Sequence, residues 1–256
     1  MPTLPVYSKN KNMTTTDQIA HNQVQREYYE SRTMDENWRM SPKLSPYIQN
    51  HVDCFSEFAR ITPEEKVLDV GCGMGKFTLP LAEQGLQIDG LDLSPRLLET
   101  LLEHGGERMN IKTICADLLN PPSDLYGKYD TITGFFMLHH LIDVDASFVQ
   151  MHKILQDKGR VLFLDVNPAC PLYYLQIFLS PTMRWKAEKG IVNLTSTKLK
   201  RGLSAAGFSD VKIERYGILP PVLRNRKAFV WIDDVFNKLT FLRRFAAFQL
   251  ISAQKG

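Results

Sequence analysis

From residue 62 onward, short apolar runs alternate with amphipathic stretches. Val67, Leu68 and Val70 form the first such run, broken by Asp69, and read as a buried strand. Residues 76–84 carry a helical apolar period, with Gly85 as its stop and Pro80 as an early kink. Residues 87–93 read as a second strand. Ser94-Pro95 then supplies a helix cap and a first helical residue for the face made by Leu97, Leu98, Leu101 and Leu102. Strands follow over residues 111–114 and 129–134, and a helix over 143–156 turns Phe148, Met151, His152 and Leu155 inward. Residues 160–166 form a fifth strand, Thr195-Ser196-Thr197 caps a helix ending near Gly207, and strands over 211–216 and 246–253 complete the series. Strands alternating with helices predict an α/β fold built on a mainly parallel sheet.

Ahead of this series, residues 1–20 are polar and rich in Thr, Lys and Asn, which predicts a mobile segment. Residues 21–36 fit a helix bearing Tyr28 and Tyr29. A second helix begins at Ser45-Pro46, with Ile48, Val52, Phe55 and Ala59 on one face and Cys54 and Phe58 beside them. The chain thus divides into a tail and helical cap over residues 1–61 and a core over 62–256.

The first strand runs into Asp69-x-Gly71-x-Gly73-x-Gly75. Glycine admits positive φ and close approach of another molecule to the backbone. A strand, a glycine turn and a helix together form the nucleotide-binding corner of doubly wound folds. The dinucleotide fingerprint would place its third glycine at position 76, which is Lys76. The acid two residues before Gly71 suits a ligand with a positive end, whereas a pyrophosphate favours bare amides.

These residues resemble the first motif of the class I S-adenosylmethionine (SAM)-dependent methyltransferases, and the resemblance covers residues 62–216 well and the last strand more weakly. It implies a Rossmann-like, seven-stranded, mostly parallel sheet of order 3-2-1-4-5-7-6, with a reversed last strand, an N-terminal helical cap and lid insertions. It implies SAM as cofactor, held around Asp69, Gly71, Cys72 and Gly73. Asp92 with Leu93 would meet the ribose, Asp117 with the Leu118 amide the adenine, and Gly134 and Phe135 the end of the fourth strand. Tyr29 or Trp38 would cover the cofactor from the N-terminal helices. The alternatives at these positions are solvated turn acids and aromatic rings that only pack the cap.

After the fourth strand comes Leu138-His139-His140-Leu141, outside the carboxyl end of the sheet, where such folds bind ligands. A histidine there can take a proton from a substrate hydroxyl, so His139 and His140 are the catalytic candidates. Two stretches exceed a minimal core. Residues 167–194 hold Tyr173, Tyr174 and Trp185. Residues 218–244 hold Trp231 and a helix over 226–240. Long, apolar, aromatic connections suit a lid over a small molecule, and core packing accounts for part of each.

Composition narrows the picture. The net charge is +3 from 31 basic and 28 acidic residues, too balanced to call for nucleic acid. Cys54, Cys72, Cys115 and Cys170 form no C-x-x-C, which predicts a reduced cytoplasmic setting with neither disulfide nor metal site. Residues 171–179, the most apolar run, are too short to span a bilayer. Basic residues beside the second insertion (Arg224, Arg226, Lys227, Lys238, Arg243, Arg244) leave room for a carrier-bound acceptor or peripheral contact with an anionic membrane. The expected activity is methyl transfer to a small apolar or aromatic acceptor, at oxygen, in the biosynthesis of a secondary metabolite, quinone or lipid. Methylation of RNA or protein, or a non-catalytic SAM-binding subunit, are the rival readings. Oligomeric state is not legible.

Overall fold

Four of the five residues of β1 (Lys66–Val70) are buried, so both faces of this strand meet protein. In the computed structural model the described residues are 15–30, 42–179, 188–219, 223, 225–226, 228 and 230–256. Strand β1 pairs in parallel with β2 (Gln87–Asp92) on one side and with β4 (Tyr129–Phe135) on the other. Strand β3 (Thr113–Cys115) lies outside β2, and β5 (Leu155–Val166) lies outside β4. Strand β7 (Phe248–Lys255) runs antiparallel between β5 and β6 (Phe208–Tyr216). The order is β3-β2-β1-β4-β5-β7-β6, as expected.

Side chains alternate across a strand, so each strand serves two cores. Leu68, Val70, Ile132, Val161, Phe163 and Ile251 pack against α5 (Val144–Ile154) and α7 (Ser196–Ala205) through Phe148, Met151, Leu199 and Leu203. Val67, Ile88, Leu162, Leu164 and Leu250 face α2 (Pro46–Ala59) and α3 (Thr78–Glu83) through Ile48, Val52, Phe55 and Leu81. Each such large side chain, fully buried, contributes about 1.5–3 kcal/mol. The predicted caps form: Ser45, Ser94 and Thr195 each accept a backbone N–H at the start of α2, α4 (Pro95–Leu101) and α7.

Several boundaries differ from the sequence reading. Helix α1 (Thr15–Glu30) begins inside the polar stretch, held by side-chain hydrogen bonds from Gln18 and Asn22 to Asp117. Helix α3 starts at Thr78, so Pro80 sits in the first turn, where its missing N–H has no helical partner to lose. Helix α5 stops at Ile154 because Leu155 is extended and pairs with Tyr129. Ile111 lies before β3 and packs with Leu79, Leu98 and Leu101 instead of joining the sheet. In the two insertions, α6 (Pro171–Leu179) and α8 (Val230–Lys238) are helical; the helix expected over 226–240 is thus described over Val230–Lys238, and 3-10 turns follow at Thr240–Phe245.

Gly75 offers a test of how tightly the glycine turn is built. Its φ is +83°, and an added Cβ would lie 2.9 Å from both Leu79 Cγ and Leu101 Cγ. Gly85 has φ +92° but open space around it. Gly75→Ala should cost about 1–3 kcal/mol through strain and crowding, and Gly85→Ala less. Urea unfolding checks both, and equal losses would show that the Leu79–Leu101 contact does not constrain the turn.

Candidate active site at the carboxyl end of the sheet

Asp69 is 1% exposed. Its Oδ2 accepts a hydrogen bond from Thr78 Oγ1 at 2.6 Å and its Oδ1 from Thr133 Oγ1 at 3.1 Å. One carboxylate thus ties β1, the first residue of α3 and β4 together. Burial pushes its pKa up to about 7; the two hydroxyl bonds oppose the shift and the charge of Asp92 adds to it.

Beyond β1 the chain turns through Gly71, Gly73 and Gly75 at φ of 69°, 53° and 83°. The amides of Gly71 and Cys72 both donate to the Leu91 carbonyl. The Cys72 side chain packs where a Cβ on Gly90 would be, 2.8 Å from its Sγ. Burial, reinforced by Asp92 and Asp69, holds that thiol well above its usual range. Asp92 closes the turn: Oδ2 accepts the Gly73 amide and Oδ1 the Ser94 amide, each at 2.9 Å. Leu93 is half-buried, and its carbonyl faces the Cys115 thiol at 3.7 Å.

After β3, Asp117 accepts the Leu119 amide on Oδ1 at 2.9 Å, while Oδ2 accepts the side-chain amides of Gln18 and Asn22 from α1. The Leu118 side chain is buried in the core. At the end of β4, the Phe135 ring stacks on Phe77 at 4.5 Å with 9° between planes, which leaves only its backbone for the cleft. Gly134 lacks the Cβ that would crowd Met137 Cγ at 3.1 Å. The side chains of Tyr28 and Tyr29, and Trp38 and Trp185 entirely, lie outside the described residues.

His139 is 5% exposed and lies between two carboxylates. Its Nδ1 is 2.6 Å from Asp165 Oδ1, and its Nε2 is 3.5 Å from Glu188 Oε2. Asp165, fully buried at the end of β5, also accepts the amides of Leu138 at 2.9 Å and Val166 at 2.7 Å. Burial disfavours the charged ring, but Asp165 and then Glu188 outweigh it, so the His139 pKa is raised. The His140 ring lies 3.9 Å away, tilted by 45°. From α6, Tyr173 Oη donates to Glu188 Oε2 at 2.8 Å, whereas Tyr174 Oη donates to the Pro168 carbonyl. Trp231 on α8 is 61% exposed. Tyr173 therefore joins the histidine site, whereas the Tyr174 hydroxyl turns to the Pro168 carbonyl and Trp231 is exposed on α8.

Sequence reasoning missed Asp165, Glu188, Gln18, Asn22 and His51. Asp165 carried a signal: it is the acid that interrupts an otherwise apolar strand end. His51 continues the α2 face three residues after Ile48, and its Nδ1 lies 2.6 Å from Tyr216 Oη among the rings of Tyr47, Phe136 and Phe248. Glu188 stands in a stretch without periodicity.

Comparison with known proteins agrees with this architecture. A family described as a methyltransferase domain matches residues 43–213. A ubiquinone biosynthesis O-methyltransferase of Idiomarina loihiensis is 28% identical over 196 residues, which span 72% of this chain and 77% of that protein. A demethylmenaquinone methyltransferase of Staphylococcus epidermidis is 33% identical over 172 residues, spanning 59% of this chain and 70% of that one. Among solved structures, magnesium protoporphyrin IX methyltransferase from Synechocystis, with bound SAH, superposes with a TM-score of 0.60 at 19% identity, over 92% of this chain and all of that one (100%).

The raised pKa of Asp69 makes a stability prediction. The folded state keeps this proton to about pH 7, whereas the ordinary value is 3.8. Between those values the unfolded chain has released a proton that the folded chain still holds. Its stabilising contribution therefore declines as pH rises through that window, by at most about 1.4 kcal/mol per pH unit. Asp69→Asn, which mimics the protonated form, should remove that part of the decline. Urea unfolding of both proteins between pH 4 and 8 is the check, and parallel curves would contradict the assignment.

Proposed function

The chain belongs to the methyltransferase-domain family and is a SAM-dependent methyltransferase, and from that premise we propose that it methylates an oxygen of a small apolar or aromatic acceptor in the making of a quinone, lipid or secondary metabolite. The observation that carries this reading is the buried Asp165–His139 pair at the ends of β4 and β5, roofed by the first insertion. An alcohol or phenol must lose its proton as the new bond forms, whereas methyl transfer to the lone pair of a neutral amine gives an ammonium that can release its proton afterwards. The names of the two relatives support the quinone class.

The residues present fit the cofactor. Asp117 already accepts two side-chain NH2 groups, the kind of donor that the exocyclic amine of adenine would offer it. The Leu118 amide would complete that recognition. Asp92, beside the glycine turn, would accept from ribose hydroxyls with Leu93 alongside, and Gly71, Cys72 and Gly73 would wrap the amino-acid end near Asp69. The backbone of Gly134 and Phe135 would line the cleft, with Tyr29 and Trp38 as covers. SAM supplies a methyl group already activated on a sulfonium. The protein's part is to orient the acceptor, exclude water and handle the proton.

For the acceptor side we assign Tyr173 to the site wall, with Tyr174, Trp185 and Trp231 in the lid, and to His139, with His140 beside it, a place in the row of groups that serves the acceptor's proton. A cytoplasmic setting accords with four free cysteines, and no helix among the described residues is long and apolar enough to cross a membrane.

Methyl-labelled SAM offered with phenols, catechols, hydroquinones and isoprenoid quinols should label at least one hydroxyl. Asp92→Ala should weaken SAM binding by about 1.5–3 kcal/mol, the range for a charged hydrogen bond, in a protein that remains folded. Calorimetry that finds unchanged affinity would remove Asp92 from the cofactor site. Labelling of carbon or nitrogen acceptors alone would refute the oxygen reading.

A further inference from the structure

We propose that Glu188 is the group that receives the acceptor's proton, with His139 and Asp165 as the positioning pair behind it. This rests on the oxygen-acceptor reading above. His139 is the obvious base by position in the chain, but each of its ring nitrogens lies against a carboxylate. Nδ1 is bonded to Asp165 at 2.6 Å and Nε2 faces Glu188 at 3.5 Å. With a carboxylate beside each nitrogen favouring the doubly protonated ring, no lone pair is left for an incoming hydroxyl.

Glu188 is placed differently. Its side chain is 12% exposed, against 4% for His139 and none (0%) for Asp165. It is therefore the most exposed member of the row. Its Oε2 accepts from Tyr173 Oη and faces His139, while no hydrogen bond from the described residues reaches Oε1. The neighbouring turn Lys189–Asn193 is packed hard on the histidine loop: a Cβ on Gly190 would lie 1.9 Å from the His139 carbonyl oxygen. The glutamate thus arrives on the first insertion and is held against the loop after β4 by backbone contact as well as by charge. Among the described residues, the titratable groups against it are His139 from that loop and Tyr173 from α6, with Asp165 and His140 beside His139.

The proton and charge balance is complete. Asp165 and Glu188 as carboxylates with a charged His139 carry a net charge of −1. The acceptor hydroxyl passes its proton to Glu188 Oε1 as its oxygen forms the bond to the methyl carbon. The carbon–sulfur bond breaks with its electron pair going to sulfur, and the sulfonium becomes a neutral thioether. The row loses its net negative charge in the same step in which the sulfonium loses its positive one. Glu188 then releases the proton to solvent through its exposed edge.

The test is Glu188→Gln, with Glu188→Asp as the conservative variant, assayed on a neutral phenol and on a nitrophenol already ionised at assay pH. With the neutral phenol, turnover of Glu188→Gln should fall by roughly 10²–10⁴, the range for general acid–base catalysis. Glu188→Asp should recover part of that loss, the ionised phenol should lose less than about tenfold, and SAM affinity should stay within about twofold as evidence of folding. Turnover retained or raised in Glu188→Gln, with its pH limb moved to lower pH, would overturn the proposal, because it would mean that His139, once released, is the base. Wild-type enzyme that methylates no hydroxyl would instead defeat the oxygen reading itself and leave no proton for Glu188 to take.

Discussion

The Asp165 carboxylate is the contact on which the site depends. It is fully buried, and it accepts from the Leu138 amide, the Val166 amide and His139 Nδ1. A buried carboxylate left short of partners is costly, whereas one that accepts several charge-assisted bonds is held in a single geometry. Those bonds join the end of β5 to the loop after β4, and so fix where His139 stands. The turn Lys189–Asn193 then packs on that loop, and Glu188 and Tyr173 follow. Removing Asp165 would leave His139 with one carboxylate partner and the loop with an orphaned amide.

A related logic runs across the parallel strands. Each of β1, β2 and β3 has an acid within it or just beyond it, and each acid is tied into the neighbouring chain. Asp69 is locked by two threonines, Asp92 by two amides, and Asp117 by one amide and two side chains of α1. Burial separates them. Asp69 has both oxygens committed to internal hydroxyls and acts as a structural knot beneath the glycine turn. Asp92 and Asp117 also have both oxygens engaged, but they are only half-buried.

Much of this was legible in the chain. The alternation of strands and helices, the glycine turn, the helix caps at Ser45, Ser94 and Thr195, and the acid at 92 follow from local signals: periodicity, cap chemistry and spacing; the strand order and the acid at 117 followed from the family resemblance. What was not legible depends on contacts between distant residues. His51 meets Tyr216 from 165 positions away. Thr133 completes the shell of Asp69 from 64 positions away. Glu188 reaches His139 from a segment with no helical or strand period, so nothing local marks it. The same blindness made Tyr173 and Tyr174 look equivalent, although one hydroxyl turns to Glu188 and its neighbour to a backbone carbonyl. The start of α1 was misplaced for a similar reason, because its polar residues are held by Asp117 rather than by an apolar face.

The central claim is that His139 is a charge-holding imidazole between carboxylates. Nitrogen-15 NMR of the His139 ring across pH 5 to 9 addresses it directly, with Asp165→Asn as the comparison. The ring should titrate above the ordinary value of 6.5, with both nitrogens protonated at the low-pH end, and its midpoint should drop in the Asp165 variant. A midpoint at or below the ordinary value, with Nε2 unprotonated at neutral pH, would contradict the account and return His139 to the role of a free base.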